Sequence, residues 1–122
     1  MPSTLLAILS ALFGMAGIGL YAVAAHASTG SLDYAAVMLL AHAPALLAIS
    51  AASRMGILAG RLGPLAGLVL ALGVVLFAGD LALRTFTGDR LFPMAAPTGG
   101  LLAMAGWLAI GVAAVMAIRR RP

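Results

Sequence analysis

The sequence predicts an all-α, polytopic membrane protein: a compact antiparallel bundle of four transmembrane helices, one domain over residues 1–122, with both termini cytoplasmic. Three observations predict it. Hydrophobic residues make up 64% of the chain and charged residues only 8%, where a soluble domain carries about 25% charged residues to coat its surface. Four stretches, 5–27, 34–52, 64–87 and 97–118, reach the roughly 20 predominantly apolar residues that one membrane span needs. The segments between them, "STGSLD", "SRMGILAGRLG" and "GDRLFPMAA", are short and rich in Gly, Ser, Pro or charge, so they turn the chain back on itself and make successive helices neighbours.

The first span opens on "MPST", which carries no Arg or Lys, and its apolar run extends from Leu5 to Ala25. A secretory leader has a basic start and an apolar region of roughly 7–15 residues. The A-x-A pattern at Ala25–His26–Ala27 therefore does not outweigh a retained helix. Small residues let helix backbones approach in lipid, and each span offers some. Gly14 and Gly17 share a face of the first with Ser10 and Tyr21; Gly63, Gly67 and Ala71 open the third at i+4 spacing. The fourth carries Gly99, Gly100 and Gly106 and a row of alanines at 105, 109, 113 and 117. These are the expected packing seams.

Orientation follows from arginine. Arg54 and Arg61 lie between the second and third spans and Arg119, Arg120 and Arg121 after the fourth, whereas on the other side Asp33 stands alone and Arg90 is offset by Asp89. Cytoplasmic segments carry the excess of Lys and Arg, so the termini and the middle connection face the cytoplasm. The net charge of +4 resides largely in the terminal cluster. There is no basic stripe interleaved with aromatics, which excludes nucleic-acid recognition; the cluster suits a topology anchor touching anionic membrane lipid. Cysteine is absent, removing thiolate chemistry and thiolate-bound metal.

The ionisable residues inside the spans fall in the outer half. Counting about 1.5 Å per residue, His26 sits at the outer end of the first span, and His42 lies roughly 12 Å below an outer start at Tyr34. Asp80 lies about 10 Å from the outer end of the third span, and Arg84 about half that. Asp80 and Arg84 are at i, i+4 with the acid first, the favourable order for a helical ion pair. Polar side chains in spans turn toward the bundle interior or a wet cavity, so His42 and Asp80 are expected to line one outer polar pocket, with Arg84 and His26 nearby. Pro44 frees the carbonyl of Leu40 and can kink the second span. Two histidines at different depths do not grip one haem iron, and two histidines and one aspartate are few ligands for a transition metal; neither cofactor nor metal is expected. Trp107, near mid-span rather than in the interfacial belt, is expected to fill the space left by Gly100, Gly111 and Ala114, its N–H seeking an acceptor.

Four segments carry a family resemblance. "AHAPALL" (41–47) resembles a His-Ala-Leu-Ala-Leu-Leu motif, "LFAGDL" (76–81) resembles Leu-Phe-Ser-Gly-Ser-Leu, and "APTGGLLAMAGWLAI" (96–110) resembles Thr-Pro-Ile-Gly-Gly-Leu-Ala-Phe-Ile-Ala-Gly-Trp-Leu. "AVAAHA" (22–27) is a looser echo of Gly-Ala-Phe-Gly-Ala-His. In this order they resemble the small membrane proteins of the domain-of-unknown-function 423, or transmembrane protein 256-like, family. Asp80 stands where that family has a small hydroxyl residue, Pro44 replaces a leucine, and the first motif lacks its glycines. The resemblance implies four helices in a bacterial inner or mitochondrial membrane and supplies no established reaction.

No Ser–His–Asp arrangement, phosphate loop or paired carboxylates accompany these features, so the chain is not expected to be an enzyme. Two functions remain. The first is a structural or accessory subunit of the bacterial inner membrane, attached to a larger complex through its small-residue faces. The second is a small transporter or channel built on His42, Asp80 and Arg84; four short helices enclose little space, so its pore requires a homo-oligomer.

Overall fold

The computed structural model describes residues 1–26 and 30–119. Four helices account for most of them: α1 Pro2–Ala24, α2 Gly30–Arg54, α3 Leu62–Thr87 and α4 Ala95–Arg119. Each is long and apolar enough to cross a membrane, and no strand occurs among the described residues. Ala27, the expected end of the first span, and Arg120 and Arg121 of the terminal cluster lie outside the described residues.

The helix limits have local causes. Pro2 stands in the first turn of α1, where its missing N–H costs no helical bond. Helix α2 begins at Gly30, four residues before the expected Tyr34. Asp33 falls in its first turn, where a carboxylate complements the helix dipole, and Leu32 is fully buried there. Pro44 lies inside α2 without ending it. Helix α3 stops at Gly88, whose left-handed φ of 79° needs no Cβ and lets its N–H reach the Arg84 carbonyl. The Thr87 hydroxyl reinforces the stop by donating to the Leu83 carbonyl while accepting the Asp89 N–H.

Helices α2 and α3 form the middle of the bundle. Helix α1 packs along α2, α4 along α3, and α1 touches α3 more sparingly. Along α1 the partners on α2 run backwards: the Ser50 hydroxyl donates to the Ser3 carbonyl at 2.6 Å, Gly14 faces Ala43, and Gly17 faces Leu40. Leu6, Leu46, Leu70 and Val74 are fully buried at the centre. The α2–α3 connection tucks in rather than hanging free. Leu58 and Ala59 are buried, and the Ala59 N–H donates to the Ala113 carbonyl of α4 at 3.0 Å, which satisfies a donor that an apolar surrounding would otherwise strand.

The closest seam is α3 against α4. A Cβ on Gly99 would stand 2.5 Å from the Phe77 nitrogen and 2.6 Å from the Gly73 oxygen, and one on Gly106 would stand 2.7 Å from the Leu70 Cα and nitrogen. Gly73 is pressed in turn against the backbone of Ala103 and Gly99. The buried row on α4 is Gly99, Ala103, Gly106, Ala113 and Ala117, which corrects the expected alanine row, since Ala105 is exposed. Steps of four residues alone precess by about 40° each on a helix of 3.6 residues per turn, so a contact row must alternate fours with threes. Among the other expected packing residues, a Cβ on Gly17 would meet the Leu40 side chain at 2.7 Å and one on Gly67 the Leu6 side chain at 2.8 Å. Gly14 and Gly100 are looser, with their nearest neighbours 3.9 Å from a Cβ.

Candidate functional site

Asp80 is 1% exposed, the most deeply buried charged side chain described. Its Oδ2 accepts from an Arg84 terminal nitrogen at 2.9 Å, one turn along α3. Its Oδ1 accepts the backbone N–H of Leu91 at 3.0 Å, from the connection between α3 and α4. Leu91 also lays its side chain over Gly79, where a Cβ would sit 3.5 Å from the leucine's Cδ1. One carboxylate thereby neutralises Arg84 and fastens the connection to the end of α3. The same connection holds Met94 at φ 66° just before α4 begins, a backbone conformation that a side chain makes costly. Asp80 and Arg84 therefore stand before the end of the hydrophobic run because the acid is a staple for the turn that follows, and the base reduces the cost of burying it.

His42 makes a different set of contacts. Its Nδ1 lies 2.7 Å from the Met38 carbonyl oxygen, and its Nε2 accepts the indole N–H of Trp107 at 3.3 Å. A carbonyl can only accept and an indole N–H can only donate, so this arrangement requires the neutral imidazole with its proton on Nδ1. The two rings are tilted at 52° with centroids 6.1 Å apart. Helices α2 and α4 do not otherwise lie side by side; this pair of side chains reaches across the space between them. Trp107 is 46% exposed, so it spans a gap instead of filling one left by Gly100, Gly111 and Ala114.

The residues expected to form one polar cluster thus occur as two groups with separate partners. The cause is the start of α2. Measured from Gly30 rather than Tyr34, His42 lies about 18 Å along its helix, level with Trp107 at a like distance from Ala95, while Asp80 is about 10 Å from the end of α3 at Thr87. His26 is exposed in the turn after α1, where its backbone N–H bonds to the Val23 carbonyl. The Leu91 N–H is the partner that sequence reasoning missed. A backbone donor has no residue-type signature, so nothing in the sequence pointed to it. Among the described residues, no three His, Cys, Asp or Glu side chains come together as a metal site would require.

Four long apolar helices around a buried aliphatic core, with their few charges paired or at the ends, define a small multi-pass membrane protein. The chain belongs to the family described as "Protein of unknown function (DUF423)", whose family model matches residues 8–100. The matched segment takes in His42, Asp80, Arg84 and the Gly99–Gly100 pair, and it ends before Trp107. No curated protein and no solved structure matches the chain.

Proposed function

We propose that this chain is a non-catalytic accessory subunit of the bacterial inner membrane, an antiparallel four-span scaffold that docks onto a larger membrane complex. The observation that carries the reading is where the polar groups within the spans go. Both oxygens of Asp80 and both ring nitrogens of His42 are engaged inside the chain, so they serve cohesion. The outward surface is apolar and indented. Gly111 leaves a shallow cavity of about 500 Å³ on α4, bordered by Trp107, Leu108, Val112, Val115 and Met116, and small residues of this kind admit a neighbouring helix. A transporter or channel would draw on His42, Asp80 and Arg84, yet His42 and Asp80 are bonded at both polar atoms and Arg84 spends a terminal nitrogen on Asp80.

Purification from native membranes in gentle detergent tests the reading. Stoichiometric recovery of a larger complex is expected, and a Gly111→Trp variant should be lost from it while keeping its helix content. Recovery as a homo-oligomer with a hydrated central path would favour transport instead. Both termini are assigned to the cytoplasm because Arg54, Arg61 and Arg119 gather at one end of the bundle. A fluorescent protein fused to the C-terminus should therefore glow, and an alkaline phosphatase fused there should stay inactive.

A further inference from the structure

At the end of the bundle where α3 begins, two cavities adjoin at Pro2. One, of about 500 Å³, is walled by Pro2, Gly60, Arg61, Pro64 and Leu65. The other, of about 420 Å³, continues between α1 and α3 along Thr4, Leu5, Ile8 and Leu68. Helices α1 and α3 pack against each other sparingly; Leu6 lies over Gly67, and the furrow runs along the outward side of that contact. The first cavity offers a guanidinium and the second is almost wholly apolar.

Arg61 has no side-chain carboxylate partner among the described residues. Nor can one be near, because Asp33 stands in the first turn of α2, Asp80 near the end of α3 and Asp89 just beyond it, all at the opposite end of the bundle. The backbone at the start of α3 cannot supply anion donors either: the Leu62 and Gly63 N–H groups are bonded to the Ala59 carbonyl, and Pro64 has none. The positive charge of this end thus rests on side chains: Arg119 borders the shallow cavity on α4, and Arg61 stands at the mouth of the furrow between α1 and α3. A cation at the membrane-interface end of an apolar groove between helices matches a phospholipid in both charge and shape.

We propose that this furrow is a binding site for one anionic phospholipid, its phosphate held by Arg61 and one acyl chain lying between α1 and α3 over Leu5, Ile8 and Leu68. Arg61 gives the preference for negative headgroups, and the furrow gives the requirement for a chain. The site is distinct from the indented face of α4 and does not depend on docking there.

Native mass spectrometry of the detergent-purified protein, with dioleoyl phosphatidylglycerol and dioleoyl phosphatidylcholine added in equal amounts, tests it. One phosphatidylglycerol should be retained in preference to phosphatidylcholine. Arg61→Gln should lower that preference about fivefold, the share of one interfacial arginine, and Arg61→Lys should largely keep it. Arg119→Gln should leave it unchanged, and Ile8→Trp should lower retention of both lipids. An unchanged preference in Arg61→Gln, or an equal loss in Arg119→Gln, would overturn the site in favour of a diffuse basic surface. Displacement of the lipid by glycerol 3-phosphate at equal concentration would overturn the acyl-chain half. In the wild-type protein, a phosphatidylglycerol carrying a mid-chain diazirine should label α1 or α3 near Ile8 and Leu68; labelling confined to α4 would likewise overturn it.

Discussion

Helix α4 meets its two neighbours in opposite ways. Against α3 the crossing is made largely of backbone: Gly99 and Gly106 on one helix and Gly73 on the other, with only the methyl of Ala103 between the two α4 glycines, bring the chains together. Against α2 it has only side chains, a His42–Trp107 hydrogen bond of 3.3 Å across a space that the backbones do not close. In lipid there is no hydrophobic gain from bringing apolar helices together, so association rests on packing and on interhelical hydrogen bonds. The first contact uses packing and the second a hydrogen bond. Packing over several turns is the stronger of the two, and it is the one that fixes where α4 lies.

The largest effect should come from filling the crossing. In Gly106→Leu, the new side chain meets the Leu70 backbone, which cannot swing aside as the end of a side chain can. A loss of about 3 kcal/mol or more is expected, read as a drop in the unfolding midpoint in detergent. Gly111→Ala is the matched control. Nothing lies within 4 Å of a Cβ at Gly111, so stability should hold. Equal losses at both positions would mean that the crossing does not set the response, since both substitutions raise helix propensity and propensity alone would stabilise.

The Asp80 staple should come next. Asp80→Ala leaves Arg84 without its carboxylate and the Leu91 N–H without its acceptor, and about 2–3 kcal/mol should be lost. That is less than for a fully buried pair, because the arginine side chain is 32% exposed. Asp80→Asn retains an acceptor for Leu91 and should lose less. The Asp80→Ala/Arg84→Ala double variant should lose less than the sum of the single variants, since no charge is then left alone. Strict additivity would break the link between the staple and the ion pair.

These contrasts track what could be read from the sequence. Four spans were legible because apolar runs of span length carry a strong signal, and the Asp80–Arg84 pair because i, i+4 spacing needs no tertiary knowledge. Gly99 and Gly106 were legible as small residues, though nothing in the spacing said that Gly73 would be their counterpart. The alanine row was legible at Ala113 and Ala117, which are buried, and failed at Ala105, which is exposed, because four-residue steps drift around a helix. His42 was assigned to the depth of Asp80 because "GSLD" has the composition of a turn, yet Gly30 and Ser31 belong to α2; the first turn shifted His42 by about 6 Å. That shift moved it from one polar partner to another.

The smallest effect is expected at the bridge itself, and it sharpens the comparison most. Trp107→Phe removes the indole N–H while keeping an aromatic ring, so the change isolates the hydrogen bond. Interhelical hydrogen bonds in membranes contribute on the order of 0.6 kcal/mol, because chains separated within the bilayer find other partners. The unfolding midpoint should therefore fall only slightly, and His42→Phe in the Trp107→Phe background should add little beyond the loss of its bond to Met38. The tautomer gives an independent check. With Nδ1–H donating to the Met38 carbonyl and Nε2 accepting from the indole, the ¹⁵N spectrum of His42 in bilayers should show a protonated Nδ1 and an unprotonated Nε2. In Trp107→Phe the Nδ1 proton should remain, since its carbonyl partner is on the same helix, while the Nε2 resonance shifts as its donor is lost. A protonated Nε2 in the wild-type protein would place a donor against a donor and remove the bridge between α2 and α4.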